Sequence, residues 1–210
     1  MHLSLPAFAS GDPMPARFAF GDVDPDSHVR LSDNRNPELR WSDLPNGTRS
    51  LVLLCHDPDV PSAGDDVNQE GREVPAELPR VDFFHWVLVD MSPEREGIAE
   101  GEASDGVVPR GKKPGPYELG VRGINDYTGW FAGDADMEGS YGGYDGPCPP
   151  WNDSIVHHYH FRLYAVDQPS LGLAGKFSGH DVRSALEGHV LAEAEWVGSY
   201  TLNPRLRGAG

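Results

Sequence analysis

The sequence predicts a mostly β protein: an antiparallel β-sandwich with one short helix near its carboxyl end. Its 25 glycines and 19 prolines among 210 residues favour short strands joined by many turns and argue against a helical bundle. Several segments alternate apolar and polar residues, as strands with one buried face do. The length is that of one domain, so we expect residues 1–210 to form a single unit.

Two central strands are expected in the first half of the chain. Glycine and proline break residues 1–30 into one or two short edge strands, of which 18–20 is favoured. The run SLVLLCH at 50–56 is apolar on both faces, which is typical of a strand covered on both sides. The run FFHWVLVD at 83–90 predicts the next strand.

Polar residues accompany both central strands. Asp57 and Asp59 alternate with prolines just after the first strand, which predicts a stiff bend that presents carboxylates, although a plain turn has the same composition. The acidic insertion 62–82 has no periodicity and is either a mobile lid or a surface loop. In a regular second strand His85 faces the same way as three apolar residues, so it is either a core residue or a functional one. Those three are Phe83, Val87 and Val89.

The segment on which the site prediction depends is the strand VHHYHFRLYAV at 156–166, which follows a loop rich in glycine and proline at 141–155. Alternation assigns one set of residues to the core face. These are His157, Tyr159, Phe161, Leu163 and Ala165. An imidazole and a phenol on a core face must find partners or line a cavity, so we expect a small polar pocket beside the loop.

The helix and a last strand complete the predicted fold. Ser178 followed by Asp181 resembles a capping box, and apolar residues at helical spacing follow up to Gly188. The segment 191–202 alternates as a strand with one solvent-facing side, and 117–131 is expected to hold a short edge strand.

Charge and composition exclude several classes of partner. The chain carries 33 acidic and 17 basic residues, a formal charge of −16, whereas nucleic acids and anionic membranes are bound through basic surfaces. No apolar run reaches membrane-spanning length, and the amino terminus lacks the basic and apolar regions of a signal peptide. Two cysteines, Cys55 and Cys148, are expected as free thiols, so we expect a cytoplasmic protein.

Four motifs in order resemble the phosphatidylethanolamine-binding protein family. They are DPDVP at 57–61, His-Trp at 85–86, GPCPP at 146–150 and H-x-Y at 157–159. The ending GHVLAEAEWVGSY is similar to the prokaryotic, Raf-kinase-inhibitor-like branch, and the resemblance covers roughly residues 30–202. It implies a Greek-key β-sandwich with a small anion pocket at one end, a cis peptide bond at Val60–Pro61, and a homodimer as a further expectation.

The resemblance also implies the residues of the pocket. They are Asp57, Asp59, His85, Gly146, Pro147, Cys148, Pro149, Pro150, His157 and Tyr159. It implies ligand binding without catalytic residues, cofactor or metal, with a phosphate-bearing or other small anion as the ligand and a protein as a further partner. The family's usual arginine between the last histidine and tyrosine is His158 here, so a role of that arginine in partner binding is not carried over.

The chemistry of these residues fits an oxyanion. Imidazole N–H groups of His85 and His157, the phenol of Tyr159 and the amides of Gly146 and Cys148 are the expected donors, because proline has no N–H. A neighbouring carboxylate, Asp57, is expected to orient a histidine and to keep it protonated. Anion binding should therefore strengthen below about pH 6.5, the ordinary pKa of histidine.

Three alternatives stay open at this point. The first is a metal-dependent hydrolase that uses Asp57, Asp59, His85 and His157. The second is nucleophilic catalysis by the Cys148 thiol, for which a small packed thiol is the competing interpretation. The third is inhibition of a kinase or protease by surface contact, which rests on family analogy alone.

Overall fold

Antiparallel sheets dominate the structure, a computed structural model that describes residues 1–207. The strands are β1 (His2–Ser4), β2 (Gly21–Asp24), β3 (His28–Leu31), β4 (Leu39–Ser42), β5 (Ser50–Pro61), β6 (Arg80–Met91), β7 (Gly97–Ile98), β8 (Gly115–Tyr117), β9 (Gly120–Arg122), β10 (His157–Val166) and β11 (Val190–Tyr200). The helices are a 3₁₀ turn (Ala16–Phe18), α1 (Tyr127–Trp130) and α2 (Gly179–Ala185).

A large sheet carries the three long central strands. Its order is β11-β10-β5-β6-β9-β8, while β1, β4 and β7 form a three-stranded sheet and β2 pairs with β3. The predicted central strand is confirmed, since residues 50–56 of β5 are all buried between β10 and β6. The predicted mostly β fold is also confirmed.

The main core lies between the large sheet and the three-stranded sheet. Leu3, Leu39 and Trp41 of the smaller sheet join one cluster with Leu53 and Phe161 of the larger. Burying a side chain of this kind contributes about 1.5–3 kcal/mol, so this interface is a principal source of stability.

The opposite face of the large sheet is covered by α2. Val182 and Leu186 of the helix pack in a second cluster with Val52 and Leu54 of β5. The predicted capping box at Ser178 is present, because its hydroxyl accepts from the amide of Asp181 and its own amide donates to that carboxylate. This second layer explains why the last third of β10 is buried on both faces. The alternation of buried and solvent-facing residues that the sequence predicts holds only for the earlier part of the strand.

A bulge in β6 changes the predicted orientation of His85. Trp86 pairs with Cys55, yet the next pair along the ladder is Phe84 with His56, so His85 is an extra residue between them. A bulge of this kind reverses the alternation at that point. The prediction that His85 shares a face with Val87 and Val89 is therefore wrong: those two pack under α2, whereas His85 faces the side of Tyr159.

Three local predictions also need correction. The DPDVP motif is not a bend after the strand, because β5 continues through Pro61 with an irregularity in its pairing at 57–60. No cis peptide bond occurs within residues 1–207, so the expected cis bond at Val60–Pro61 is absent. The favoured edge strand at 18–20 is instead the end of a 3₁₀ turn and the residues before β2.

Candidate functional site

A cavity of about 520 Å³ opens at the end of the large sheet where β5, β6 and β10 carry polar residues. Seven of the predicted pocket residues line it: Asp57, His85, Cys148, Pro149, Pro150, His157 and Tyr159. The other three, Asp59, Gly146 and Pro147, do not. His56 of β5 pairs with His160 of β10 in an antiparallel ladder. The next residue of β5, Asp57, and the preceding residue of β10, Tyr159, are therefore opposite each other on the same face of the sheet.

His157 is the centre of a buried chain of charges. Its Nδ1 lies 2.7 Å from Oδ2 of Asp57, and its Nε2 lies 3.1 Å from Oδ2 of Asp153. Arg80 donates to both oxygens of Asp153, at 2.6 and 3.1 Å. Carboxylates only accept, so both ring nitrogens of His157 donate and the ring is an imidazolium.

The pKa shifts of these charged groups agree with this assignment. Burial lowers the pKa of His157, but the charges and hydrogen bonds of Asp57 and Asp153 outweigh burial and raise that pKa to about 9. Burial raises the pKa of Asp153, but hydrogen bonds from His157 and Arg80 bring it below its usual value. The expectation that His157 donates to a ligand is corrected, because both of its N–H groups are already used.

Local sequence explains how the two carboxylates are held. Asp57 turns back to accept the amide of Asp59 at 2.8 Å, and Asp153 accepts the amide of Ile155 at 3.2 Å. Side-chain-to-backbone bonds over two residues are typical of Asp in turns. Each acid is thus oriented by its own segment before it meets the histidine.

His85 presents one nitrogen to the cavity and uses the other. Its Nδ1 donates to the carbonyl of Asp145 at 2.8 Å, which fixes the proton of the neutral ring on Nδ1 and leaves Nε2 as an acceptor. Burial lowers the pKa of His85, and the charges of Asp57 and Asp145 do not offset it. The ring lies edge-on to Tyr159, with 5.1 Å between centroids.

The loop that holds His85 is fixed by the carboxylate of Asp145. This buried group accepts from the side chains of Asn34, Lys112 and Asn125 at 2.7–2.8 Å. The amide of Gly146 donates to Oδ1 of Asn34 at 2.8 Å, so the expectation that it serves a ligand is corrected. The Cys148 amide makes no hydrogen bond within residues 1–207.

Tyr159 contributes an unpaired hydroxyl. Its side chain is 1% exposed, and the hydroxyl has no hydrogen-bond partner within the described part of the chain. Burial, together with the nearby charge of Asp57, keeps the pKa of Tyr159 well above its ordinary value, so the hydroxyl keeps its proton. An unpaired buried hydroxyl is unfavourable unless a ligand or water meets it.

The entrance of the cavity is apolar and aromatic. Tyr127 stacks on Phe20 with 4.6 Å between centroids and on Phe131 with 5.7 Å. Trp130, 56% exposed, and Leu31, 63% exposed, lie at the rim.

The predicted insertion forms another wall of the entrance, through Gly64, Val67 and Asn68. The Asn152 side chain secures it by donating to the carbonyl oxygens of Asp66, Gln69 and Arg72 at 2.8–3.3 Å. The segment therefore borders the pocket, and Asn152 is one of its attachments to the rest of the fold.

Comparison with known sequences decides the family. The profile described as phosphatidylethanolamine-binding protein matches residues 4–201. The chain belongs to the phosphatidylethanolamine-binding protein family. A UPF0098 protein of Methanothermobacter thermautotrophicus is 33% identical over 200 residues, which cover 95% of this chain and 98% of that protein. A UPF0098 protein of Chlamydia muridarum is 30% identical with the same coverage.

Solved structures show the same fold. The crystal structure of CT736 from Chlamydia trachomatis, described as a homologue of the family, has a TM-score of 0.61 and 26% identity, covering 95% of both chains. That of Escherichia coli YbcL, described as a new member of the mammalian family, has a TM-score of 0.66 and 21% identity, covering 95% of this chain and 97% of YbcL. The resemblance drawn from the four motifs is therefore confirmed at the level of family and fold.

Within this family framework, Asp59 lies outside the pocket that the motif implies. Its Oδ2 accepts from the backbone amide of His158 at 2.9 Å and lies 2.8 Å from Nδ1 of that ring. His158 is half-exposed, at the position where the family usually has arginine. The pair ties β5 to β10 at the outer surface and does not face the ligand space.

The donor set does not favour a metal centre. No group of three or more His, Cys, Asp or Glu side chains in residues 1–207 is arranged to hold an ion. His157 has both nitrogens bound to carboxylates, so it has no lone pair for a metal. Burial raises the pKa of the Cys148 thiol to about 12, which leaves the proportion of thiolate negligible near neutral pH.

Sequence reasoning missed the residues that support the site. Asp153 precedes His157 by four positions, and its turn-forming context was the available signal. Arg80, Asp145 and Asn34 reach the site from remote segments, and no local pattern marks them.

Proposed function

We propose that the cavity binds the oxyanion of a small ligand, such as a phosphate group, without turning it over. The observation that carries the proposal is the buried Tyr159 hydroxyl, which lines the cavity and has no partner in the described chain. A hydroxyl of this kind donates readily to an anionic oxygen. Cys148 also lines the cavity, and its amide, which makes no hydrogen bond within residues 1–207, is a second candidate donor.

The charge of the walls is compatible with an anion in spite of the formal charge of −16. The two carboxylates beside His157 are matched by its imidazolium and by Arg80. Asp145 is matched by Lys112, whose Nζ lies 2.7 Å away. Since each buried acid has a cationic partner close by, the repulsion that an anion would meet is largely cancelled at short range.

The states of His157 and Cys148 support binding and not catalysis by these two residues. His157 is held as a donor on both sides and cannot act as a base, and the Cys148 thiol keeps its proton. Regulation of a protein partner by this module rests on the name of the prokaryotic branch alone. A cytoplasmic location is part of the proposal and is supported by two free cysteines.

The test is calorimetric titration of inorganic phosphate and phosphoethanolamine, with and without a chelator. We expect saturable, chelator-insensitive binding that weakens about 10–100-fold in Tyr159→Phe, because a hydrogen bond to a charged group contributes about 1.5–3 kcal/mol. The matched control is Tyr117→Phe, which removes another buried, unpaired hydroxyl that does not line the cavity. Absence of binding to the wild type, or binding only with added metal, would overturn the proposal.

A further inference from the structure

The hydrogen-bonding character of His85 sets a condition on the ligand. A carbonyl oxygen only accepts, so the 2.8 Å contact with Asp145 places a proton on Nδ1 of His85. In the neutral ring Nε2 is then an acceptor, on a ring that lines the cavity and is 3% exposed. An oxyanion without a proton would bring its lone pairs against this lone pair.

The surroundings of His85 do not supply a second proton at neutral pH. The titratable groups that face or adjoin the ring are Asp57 on β5, Tyr159 on β10, Tyr127 on α1, and Asp145 and Cys148 on the loop. The Tyr127 hydroxyl donates to the carbonyl of Gly146 at 2.7 Å, and Lys112 compensates the carboxylate of Asp145. Burial is the largest influence on the pKa of His85, and it lowers that pKa.

The Tyr159 hydroxyl has the opposite character. It keeps its proton and makes no hydrogen bond within residues 1–207, although the carboxylate of Asp57 is close enough to raise its pKa. His85 and Tyr159 are in edge contact on the wall of the cavity, so a ligand that reaches both side chains meets one acceptor and one donor. A group that both donates and accepts matches this pair, whereas a group that only accepts matches Tyr159 alone.

We propose that the site selects singly protonated phosphomonoesters, whose P–O–H donates to Nε2 of His85 while an anionic oxygen accepts from Tyr159. This rests on the proposed function and makes His85 the residue that determines specificity. A phosphodiester has no such proton and leaves His85 unmatched. The favoured class is therefore the phosphomonoester group, free or at the end of a larger molecule, and not a diester headgroup.

The experiment compares methyl phosphate with dimethyl phosphate by calorimetry at pH 5.5. Both are then mainly monoanions, because the second pKa of a monoester is about 6, and they differ by one methyl group in a cavity of about 520 Å³. We expect methyl phosphate to bind at least about tenfold more tightly. In His85→Phe, whose ring has no acceptor for the P–O–H group, the ratio should fall to within about threefold.

The control is His189→Phe, which removes a half-exposed histidine paired with Asp167 far from the cavity and should leave the ratio unchanged. Equal binding of the two esters to the wild type, or an unchanged ratio in His85→Phe, would overturn the inference and leave the proposed function standing. Binding of neither ester would overturn the proposed function itself.

A second measurement needs no variant. The phosphorus resonance of methyl phosphate bound to the wild type should titrate at a higher pH than that of the free ester, because the complex retains the proton. Titration of the bound ester at or below the free value of about 6 would contradict the inference.

Discussion

Asp57 accepts a hydrogen bond of 2.7 Å from Nδ1 of His157 across 100 residues of sequence. The contact joins β5 to β10 at the end of the large sheet, and neither side chain is more than 2% exposed. Asp153 and Arg80 extend this pair into a buried chain of four charged groups.

The stability of the protein should fall as the pH rises from about 6.5 to about 9. The pKa of His157 is raised to about 9 in the folded protein and is about 6.5 in an unfolded chain. A raised pKa contributes stability that is complete below the unfolded value and is lost as the pH passes the folded value. Urea unfolding at several pH values measures this loss.

The variant His157→Gln separates this effect from other titrations. It should be less stable than the wild type at pH 6 and should show a flatter pH dependence between 7 and 9, whereas His189→Gln should follow the wild type. An identical slope in His157→Gln and the wild type would refute the assignment of the charge to His157.

Removal of Arg80 should destabilise the fold strongly. Arg80 is 12% exposed and its partner Asp153 1% exposed, so Arg80→Gln leaves a buried carboxylate with one cation fewer. Breaking a buried pair in this way typically costs about 3–5 kcal/mol. The control Arg72→Gln breaks an exposed pair with Asp66 and should change the free energy of unfolding by less than about 1 kcal/mol. Similar losses in both variants would contradict the structural role of Arg80.

Gly146→Ala should damage both folding and binding. A Cβ at Gly146 would overlap the backbone carbonyl of Phe18, which cannot move aside as a side chain can. Overpacking of this kind costs about 1–3 kcal/mol or more. Gly129→Ala, at a position with open space around it, should be neutral or slightly stabilising. Thermal unfolding of the two variants tests the difference, and equal melting temperatures would show that the loop can adjust.

Asn152→Asp should loosen the insertion between β5 and β6. The new carboxylate cannot donate to the three carbonyl oxygens that Asn152 now satisfies. Limited digestion with trypsin should then cut faster after Arg72 than in the wild type. The same change at the exposed turn residue Asn46 should not alter the rate, and equal cutting of both variants would show that other contacts hold the loop.

Regular segments were predictable because local pattern and burial agree in them. The core-face assignment of His157, Tyr159 and Phe161 is confirmed, and β5 is the doubly covered strand that its apolar run indicates. The capping box at Ser178 was predictable for the same reason, since its two hydrogen bonds lie within four residues.

The irregular and long-range features were not predictable. Alternation assumes an unbroken strand, so it failed at His85, where the bulge inserts one residue. The network around Asp145 joins three side chains from remote segments, and no spacing in the sequence links them. The motifs located the pocket, but they did not reveal that His157 and Gly146 have their donors already occupied.

Coverage of the large sheet on both faces has a consequence for the kinetics of recognition. Three of the pocket's walls extend from strands that are clamped between the main core and α2, so their side chains need little ordering when a ligand arrives. Binding then loses little conformational entropy, and association should proceed without a slow rearrangement. The residence time of the ligand would then be set by the strength of its hydrogen bonds and by its exit through the aromatic entrance, because the strands that form the cavity do not move.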